Sequence, residues 1–475
     1  MVPPDSPSSS ATSAVPPSEA ARLLRSGARV HFVGIGGVGM SALAELLHRR
    51  GAVVSGSDQS ESDILVRLRA LGIPVRVGHD PAELDGADCV VLTAAVRQGH
   101  PVRRAAAARG LPMLHRADAL AAVSAGMRLL AVAGTHGKTT TSGALAELWA
   151  GCGRDPTALV GGDVLDWGRR TLRVGTGDWM VAEADESDGS FLRFSPEAIV
   201  LTNAEPDHLD HHGTAEALER AFAAFIARLP QGGTLVYGAD DPAAARLGER
   251  FTGRRIAYGI RDDADTRMRL LEMRPGRMRF EIAHGGSRTE ILSVLGGAHN
   301  ALNLTAAFAL ARAYGLGEDQ AARALGRYRG VARRQEWIGE AAGYRIFDDY
   351  AHHPTEIRAT LAMFRALYRD PITVVFQPHL YSRTAHFAAE FAEALRPADQ
   401  VFVTGVYAAR EAPILGVTGR TILDRLQGHP AAFYLEDWRA FADQVRQHAG
   451  RGILLTLGAG DITGLGPLLL REHRP

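Results

Sequence analysis

An α/β fold with parallel sheets, spread over three domains, is what this sequence predicts, and three observations carry the expectation. Short apolar runs such as "RVHFV", "CVVL" and "ILLTL" alternate with helix-period patterns along most of the chain, the signature of strand-helix-strand units. Two of these runs, "RVHFVGIG" and "RLLAVAG", enter glycine turns that open helices, a junction that gathers backbone N–H groups suited to phosphate. The length of 475 residues exceeds a single core, and about 150 residues per domain gives roughly three.

Composition narrows the function. Basic and acidic residues number 53 each, so no global charge favours nucleic acid or an anionic membrane. Cys89 and Cys152 lie in apolar contexts without CxxC spacing, which argues for buried thiols in a reducing cytoplasm rather than disulfides or zinc. Residues 1–20, rich in Pro, Ser and Ala, read as a disordered tail and not a signal peptide. No apolar run is long enough to span a bilayer. A soluble, cytoplasmic chain is expected.

The first domain is expected at 21–125. After "RVHFVGIG", Met40, Leu43, Ala44 and Leu47 mark one helical face, and "AVVSGSD" and "CVVLTAAV" read as further strands. "GIGGVG" satisfies G-x-G-x-x-G at Gly34, Gly36 and Gly39, with Asp58 following 22 residues after Gly36. That is a dinucleotide fingerprint in its local features, so an NAD-dependent oxidoreductase is one reading. The physics of the loop specifies a diphosphate on a helix N-terminus and an acid near a hydroxyl, not which nucleotide.

The second domain is expected at 126–332 and opens on "AVAGTHGKTTTSGALAELWAG". Its helix is predicted from about Thr139 to Ala150, with Gly151 as a left-handed cap. Of the 53 basic residues, Lys138 is the only lysine. The loop reads Gly134-x-x-Gly137-Lys138-Thr139, shorter than the common P-loop spacing. An ammonium is a compact, three-donor charge able to reach between phosphate oxygens, whereas a guanidinium is a wide planar fork. Thr139 adds a hydroxyl suited to Mg²⁺.

Two later strands, in "WMVAEADESD" and "EAIVLTNAEPDHLDHHG", end in Glu183, Asp185, Glu186 and Asp188 and in Asp207, His208 and Asp210. Parallel pairing places all of them on the edge that carries Lys138. Taken alone, "DHLDHH" reads as a solvated turn, and zinc is disfavoured because His211 and His212 are adjacent with no cysteine near. Beside a phosphate loop, metal binding becomes the better reading. Two phosphate loops about a hundred residues apart imply two phosphorylated ligands, and hydride transfer has no use for the second.

The third domain, expected at 333–475, contains strands in "YRIFDDY", "ITVVFQPH", "QVFVTGVY" and "GILLTLGAG". An apolar stripe of Phe387, Phe391 and Leu395 follows Thr384. Asp348, Asp349, Tyr350, His352 and His353 end one strand, and His379 and Arg383 end the next. Together they form a pocket fit for a small carboxylate, with Arg383 as the fork. One of His353 and Asp349 is expected to cap the helix that begins at Pro354.

In this order, "GIGGVGMSALA", "AGTHGKTTT", "EADESDGSF", "TNAEPDHLD", "GAHNALN", "GVARRQEW", "DDYAHHPTE", "FQPHLYSRT" and "YAAREAPI" resemble the Mur ligase family, over everything after the tail. The resemblance implies an N-terminal Rossmann-like domain for a UDP-sugar, a central P-loop ATPase domain and a C-terminal Rossmann-like domain for an amino acid. It implies that ATP drives the joining of L-alanine to the lactyl carboxylate of UDP-N-acetylmuramate through an acyl phosphate, the first peptide step of peptidoglycan precursor synthesis. Gly36, Gly37, Gly39, Met40 and Ser41 would cradle the UDP diphosphate, with Asp58 and Thr93 nearer the uridine. Gly134, Thr135, His136, Gly137, Lys138, Thr139 and Thr140 would bind ATP phosphates.

By the same resemblance, Thr139, Glu183 and His208 are Mg²⁺ (or Mn²⁺) ligands, and Lys138, Glu183 and His208 form the catalytic set. His299, Asn300 and Asn303 contact the nucleotide, as do Arg334 and Asp349. Tyr350, His352, His379 and Arg383 receive L-alanine. Two departures stand out. Gln335 occupies a place where the family more often has an aromatic residue, which weakens any stacking role. Some sister ligases hold a second metal with a carbamylated lysine, and a chain whose only lysine is Lys138 has none to offer. The implied partners are small molecules, with no nucleic acid or membrane, in a monomer or homodimer. A ligase that attaches a ready-made tripeptide to the same sugar nucleotide, and a non-catalytic nucleotide sensor, are the alternatives beside the oxidoreductase.

Overall fold

The computed structural model describes residues 15–93, 96–409, 411–447 and 451–473, and the chain divides into two compact units. One comprises the residues up to 162 together with 170–257, and the other comprises 163–169 and everything from 258.

The first unit contains two sheets. Strands β1 (Arg29–Val33), β2 (Val53–Asp58), β3 (Val75–Val77), β4 (Cys89–Leu92) and β5 (Met113–His115) lie parallel in the order β3-β2-β1-β4-β5. The strand order switches direction between β1 and β4, which opens a crevice at the carboxyl end of β1, where the first glycine turn sits. Val30, Phe32 and Val33 of β1 are all buried, as a strand covered on both faces requires. The helix Val38–Arg49 buries Met40, Leu43, Ala44 and Leu47, the face its periodicity predicts.

The second sheet is built on β6 (Arg128–Ala133), with β7 (Thr157–Val164), β8 (Arg170–Arg173), β9 (Trp179–Glu183), β10 (Ala198–Leu201), β11 (Thr234–Gly238) and β12 (Arg254–Gly259) in the order β12-β11-β10-β6-β9-β7-β8. The registers Val132↔Glu183 and Ala133↔Leu201 are parallel. They set the carboxyl ends of β9 and β10 on either side of the loop that follows β6.

That loop opens the helix Lys138–Gly151, which buries Trp149 completely. The expected cap at Gly151 is corrected: Gly151 is still helical, and Gly153 takes the left-handed conformation at φ +76, its N–H bonding the Ala150 carbonyl. The expected tail shortens too, because Pro17–Leu23 is a helix with Ala20 buried, while residues 1–14 lie outside the described residues. Both cysteines are free thiols, but only Cys89 is buried and Cys152 is half-exposed.

In the second unit, β13 (Thr266–Arg274), β14 (Arg277–His284) and β15 (Ser287–Ser293) form an antiparallel meander, followed by the helix Ala298–Ala313. A six-stranded sheet comes next. It contains β16 (Glu336–Ala341), β17 (Tyr344–Asp349), β18 (Ile372–Phe376), β19 (Gln400–Val403), β20 (Ala432–Tyr434) and β21 (Gly452–Leu457), ordered β16-β17-β21-β18-β19-β20 and parallel except for β16. Strands β16 and β20 lie at its edges, mostly half-exposed, and lack the apolar run that marks the other four in the sequence. The stripe expected after Thr384 is split: Phe387 falls between the helices Tyr381–His386 and Ala388–Leu395, and only Phe391 and Leu395 are fully buried.

Among the described residues no helix is long and apolar enough to cross a membrane. Phe391 packs with Phe376, Ile357 and Leu455 in the core of this sheet, so Phe391→Ala is expected to cost about 3–5 kcal/mol. Phe387→Ala should cost clearly less, a contrast that urea unfolding followed by circular dichroism will read.

Candidate active site

The loop between β6 and the helix Lys138–Gly151 is held from the neighbouring strand. Thr202 Oγ1 and Asn203 Nδ2 donate to the His136 carbonyl at 2.6 and 3.1 Å, while Asn203 Oδ1 accepts from the His136 amide at 2.8 Å. Thr135 Oγ1 donates to the Glu205 carbonyl at 2.8 Å. Gly134 stands at φ +128, and a Cβ there would lie 2.1 Å from Thr202 Oγ1, so only glycine fits. Gly137, left-handed at φ +80, opens the helix, and Thr140 is buried behind it. Asn203 was given no role by sequence reasoning. Its place directly after the strand beside the loop strand is the signal that could have found it.

Lys138 folds back over this turn. Its Nζ donates to the carbonyls of Gly134 (2.6 Å) and Thr135 (3.2 Å) and to Glu186 at 2.9 Å, with only 12 % of its side chain exposed and none of Glu186's. Burial works against the ammonium, but Glu186, Asp185 and Glu183 together hold its pKa above the ordinary lysine value. Burial pushes Glu186 up to about 7 and raises Glu183 as well. Asp185 is pulled low despite its burial, chiefly by Lys138 and then by the Ser187 amide and His208.

One buried and two half-buried carboxylates thus face one ammonium, a donor set short of positive charge. Glu183 accepts from the Gly161 amide at 2.8 Å and from the Thr139 hydroxyl. His208, held at φ +51, sits close enough to influence Asp185. These hard oxygens and one imidazole fit a divalent cation such as Mg²⁺. His212 Nε2 donates to the Glu186 carbonyl at 2.8 Å, a supporting contact the sequence did not reveal.

The first glycine loop shows a different use of its acid. Asp58 Oδ2 accepts from the Gly36 amide at 2.7 Å and Oδ1 from the Gln59 amide at 2.8 Å. A Cβ on Gly36 would lie 2.8 Å from Asp58 Oδ2, so Asp58 braces the loop. Thr93 Cγ2 would lie 3.7 Å from a Cβ on Gly34, which places that threonine at the turn. Met40 and Ser41 turn their side chains into the core, and the Gly37 amide donates to the Gly34 carbonyl at 3.2 Å. Arg116 was not anticipated: its Nη1 would be 2.9 Å from a Cβ on Gly39, a cation over the place where a diphosphate is expected.

The second unit gathers the remaining candidates. Asn300 Nδ2 donates to the Gly296 carbonyl at 2.7 Å and to Gln335 Oε1 at 3.2 Å. Asn303 Nδ2 reaches Asn300 Oδ1 at 3.4 Å, and Gln335 Nε2 lies 2.7 Å from His299 Nε2. Asp349 accepts from the amides of Gln335 (3.1 Å) and Ala351 (2.8 Å) and from Thr360 Oγ1 (3.1 Å). Burial pushes its carboxyl up to about 6, against the pull of Arg334. Arg334 pairs with Glu356 at 3.4 Å and lies 5.2 Å over the Tyr350 ring.

His352 contacts His379 edge to face at 5.9 Å, and buried Arg383 approaches His379 Nδ1 with its Nη1 at 3.4 Å. Tyr350, His352, His379 and Arg383 are therefore contiguous. Asp348 does not join them: it accepts from Arg333, Thr456 and Thr463 beneath the sheet end. His353 and Glu356 cap the helix Pro354–Leu367, so His353 is the capping residue of the pair considered from sequence.

Three family models match the chain in succession: "Mur ligase family, catalytic domain" over residues 29–128, "Mur ligase middle domain" over 132–311, and "Mur ligase, glutamate ligase domain" over 333–460. The chain belongs to the Mur ligase family. It is 47% identical over 465 residues to a UDP-N-acetylmuramate--L-alanine ligase of Arthrobacter sp. (strain FB24), covering 95% of this chain and 96% of that one. A protein of the same name from Kineococcus radiotolerans is 47% identical over 453 residues, with 93% and 95% covered. Among solved structures, the UDP-N-acetylmuramate-alanine ligase of Thermotoga maritima superposes with a TM-score of 0.79 at 30% identity, covering 94% of this chain and 98% of that one. A murein peptide ligase of Psychrobacter arcticus shares the fold, with a TM-score of 0.70 at 24% identity and the same coverage.

As a Mur ligase, the chain is expected to depend on its single ammonium. Lys138→Arg should fold, yet a planar guanidinium cannot satisfy Gly134 O, Thr135 O and Glu186 at once, so ATP affinity measured by calorimetry should fall at least tenfold. Asp349, with its folded pKa raised to about 6 and an unfolded value of about 3.9, favours folding below pH 4 and loses that contribution as pH rises through 6. The thermal midpoint of Asp349→Asn relative to wild type should therefore improve between pH 4 and pH 7.

Proposed function

We propose that the chain is an ATP-dependent UDP-N-acetylmuramate L-alanine ligase acting in the cytoplasm on peptidoglycan precursors. The observation that supports this reading most is the phosphate loop itself, a buried ammonium between two acid-bearing strand ends. It occurs in a chain whose 45–47% identical relatives over more than nine-tenths of its length bear that enzyme's name. In the proposed reaction the lactyl carboxylate takes the γ-phosphoryl group of ATP, releasing ADP. The alanine amine then attacks the acyl phosphate, loses a proton, and expels inorganic phosphate from a tetrahedral intermediate.

Phosphoryl transfer of this kind needs positioning and charge neutralisation rather than a protein nucleophile. Lys138 exchanges its contacts with Glu186 and the loop carbonyls for phosphate oxygens, and the backbone of Gly137 to Thr140 lines the helix N-terminus behind them. Thr139, Glu183 and His208 would hold Mg²⁺, which would supply charge neutralisation for the transferring group. The backbone around Gly37 and Gly39, with Arg116 above it, takes the UDP diphosphate. Arg383 and His379 grip the alanine carboxylate, while His299, Asn300 and Asn303 are the proposed nucleotide contacts of the second unit.

The purified chain with ATP, Mg²⁺ and UDP-N-acetylmuramate should release ADP when L-alanine is added, and far more slowly with the preformed tripeptide. Faster turnover with the tripeptide would replace this reading by the recycling ligase. No ADP release with either would remove the ligase assignment.

A further inference from the structure

We propose that Gln335 is a positioning residue that fixes His299 in the tautomer carrying its proton on Nδ1, so that the helix Ala298–Ala313 offers the nucleotide a ring N–H donor. This rests on the reading of His299 as nucleotide-facing.

The assignment follows from a chain of hydrogen bonds in which each link fixes the next. A backbone carbonyl can only accept, so the atom of Asn300 that lies 2.7 Å from the Gly296 carbonyl must be its amide nitrogen. That same nitrogen lies 3.2 Å from the Gln335 side chain, which must therefore turn its oxygen towards Asn300. The other end of the Gln335 amide is then the NH₂ group, 2.7 Å from His299 Nε2. An NH₂ group donates, so Nε2 accepts and the proton of a neutral ring resides on Nδ1. The ring is neutral, since burial and then the Arg334 charge pull its pKa down to about 4.

The backbone of Gln335 is committed to the same purpose. It stands in the left-handed region at φ +53, a strained conformation for a residue with a side chain. Its N–H donates to Asp349 Oδ2 at 3.1 Å. One residue thereby ties the His299–Asn300 end of the helix to the end of β17. An aromatic side chain at 335 could pack against the ring, but it could not dictate which nitrogen carries the proton.

The test is ¹⁵N NMR of the full-length chain labelled at histidine, with the His299 signals assigned by their loss in His299→Gln. Wild type should show a protonated-type Nδ1 and an unprotonated-type Nε2. A protonated Nε2, or fast exchange between the two forms, would overturn the proposal. In Gln335→Glu the carboxylate can only accept, so the proton should move to Nε2. The Kd for ATP titrated alone should then rise about three- to tenfold, the worth of one hydrogen bond, with the Kd for UDP-N-acetylmuramate unchanged.

Gln335→Leu keeps the question decidable if the glutamate variant does not fold. It should show both tautomers, and a pure Nδ1–H form with wild-type ATP affinity would show that Gln335 is not the determinant. The spectra need neither sugar nor amino acid, so a chain that failed as a ligase would still reveal which ring nitrogen carries the proton.

Discussion

The first unit depends on a charge imbalance that the fold itself creates. Parallel pairing of β6 with β9 and β10 brings buried and half-buried carboxylates to the edge where the glycine loop turns, and among the described residues Lys138 is the ammonium set against them, with His208 acting on Asp185. Burying an unpaired charge is costly, so Lys138 and Glu186 hold each other while the loop carbonyls take the remaining ammonium protons. The same deficit of positive charge suits the chemistry of a divalent cation. Stability of the empty loop and capacity for a charged ligand have one origin.

Much of this was legible in the sequence because the signals are local. A glycine turn between a strand and a helix, a lone lysine, and acids at strand ends each sit within a dozen residues and obey sheet geometry. What the sequence hid depends on contacts between distant segments. Asp58 matches the spacing of a ribose-binding acid, and each of its oxygens also accepts a backbone amide, of Gly36 and of Gln59, a bracing role that spacing does not reveal. Asp348 and Asp349 are adjacent in sequence but, as strand residues, point to opposite faces. Only Asp349 therefore reaches the Gln335 segment, while Asp348 is drawn to Arg333, Thr456 and Thr463. Arg116 and Asn203 were invisible for the same reason: each acts on a loop from another segment of the chain.

The two glycine loops also show why a motif underdetermines its ligand. Both present helix-terminal N–H groups, and they differ in what surrounds them. One is braced by a carboxylate and overlooked by an arginine, while the other encloses a lysine facing three acids. The resemblance to dinucleotide-binding enzymes resides in the shared backbone geometry, and the distinction resides in neighbours that no short pattern contains.

The solitary lysine has a chemical consequence under the proposed reaction, which passes through an acyl phosphate. Such an intermediate acylates free amines, and an enzyme rich in exposed lysines would risk modifying itself. Here every other basic position is arginine, whose guanidinium is a poor nucleophile because it stays protonated. The one amine side chain is kept charged by the carboxylates around it, so its lone pair is occupied by a proton. The carboxylates that hold Lys138 therefore also keep its nitrogen from acting as a nucleophile.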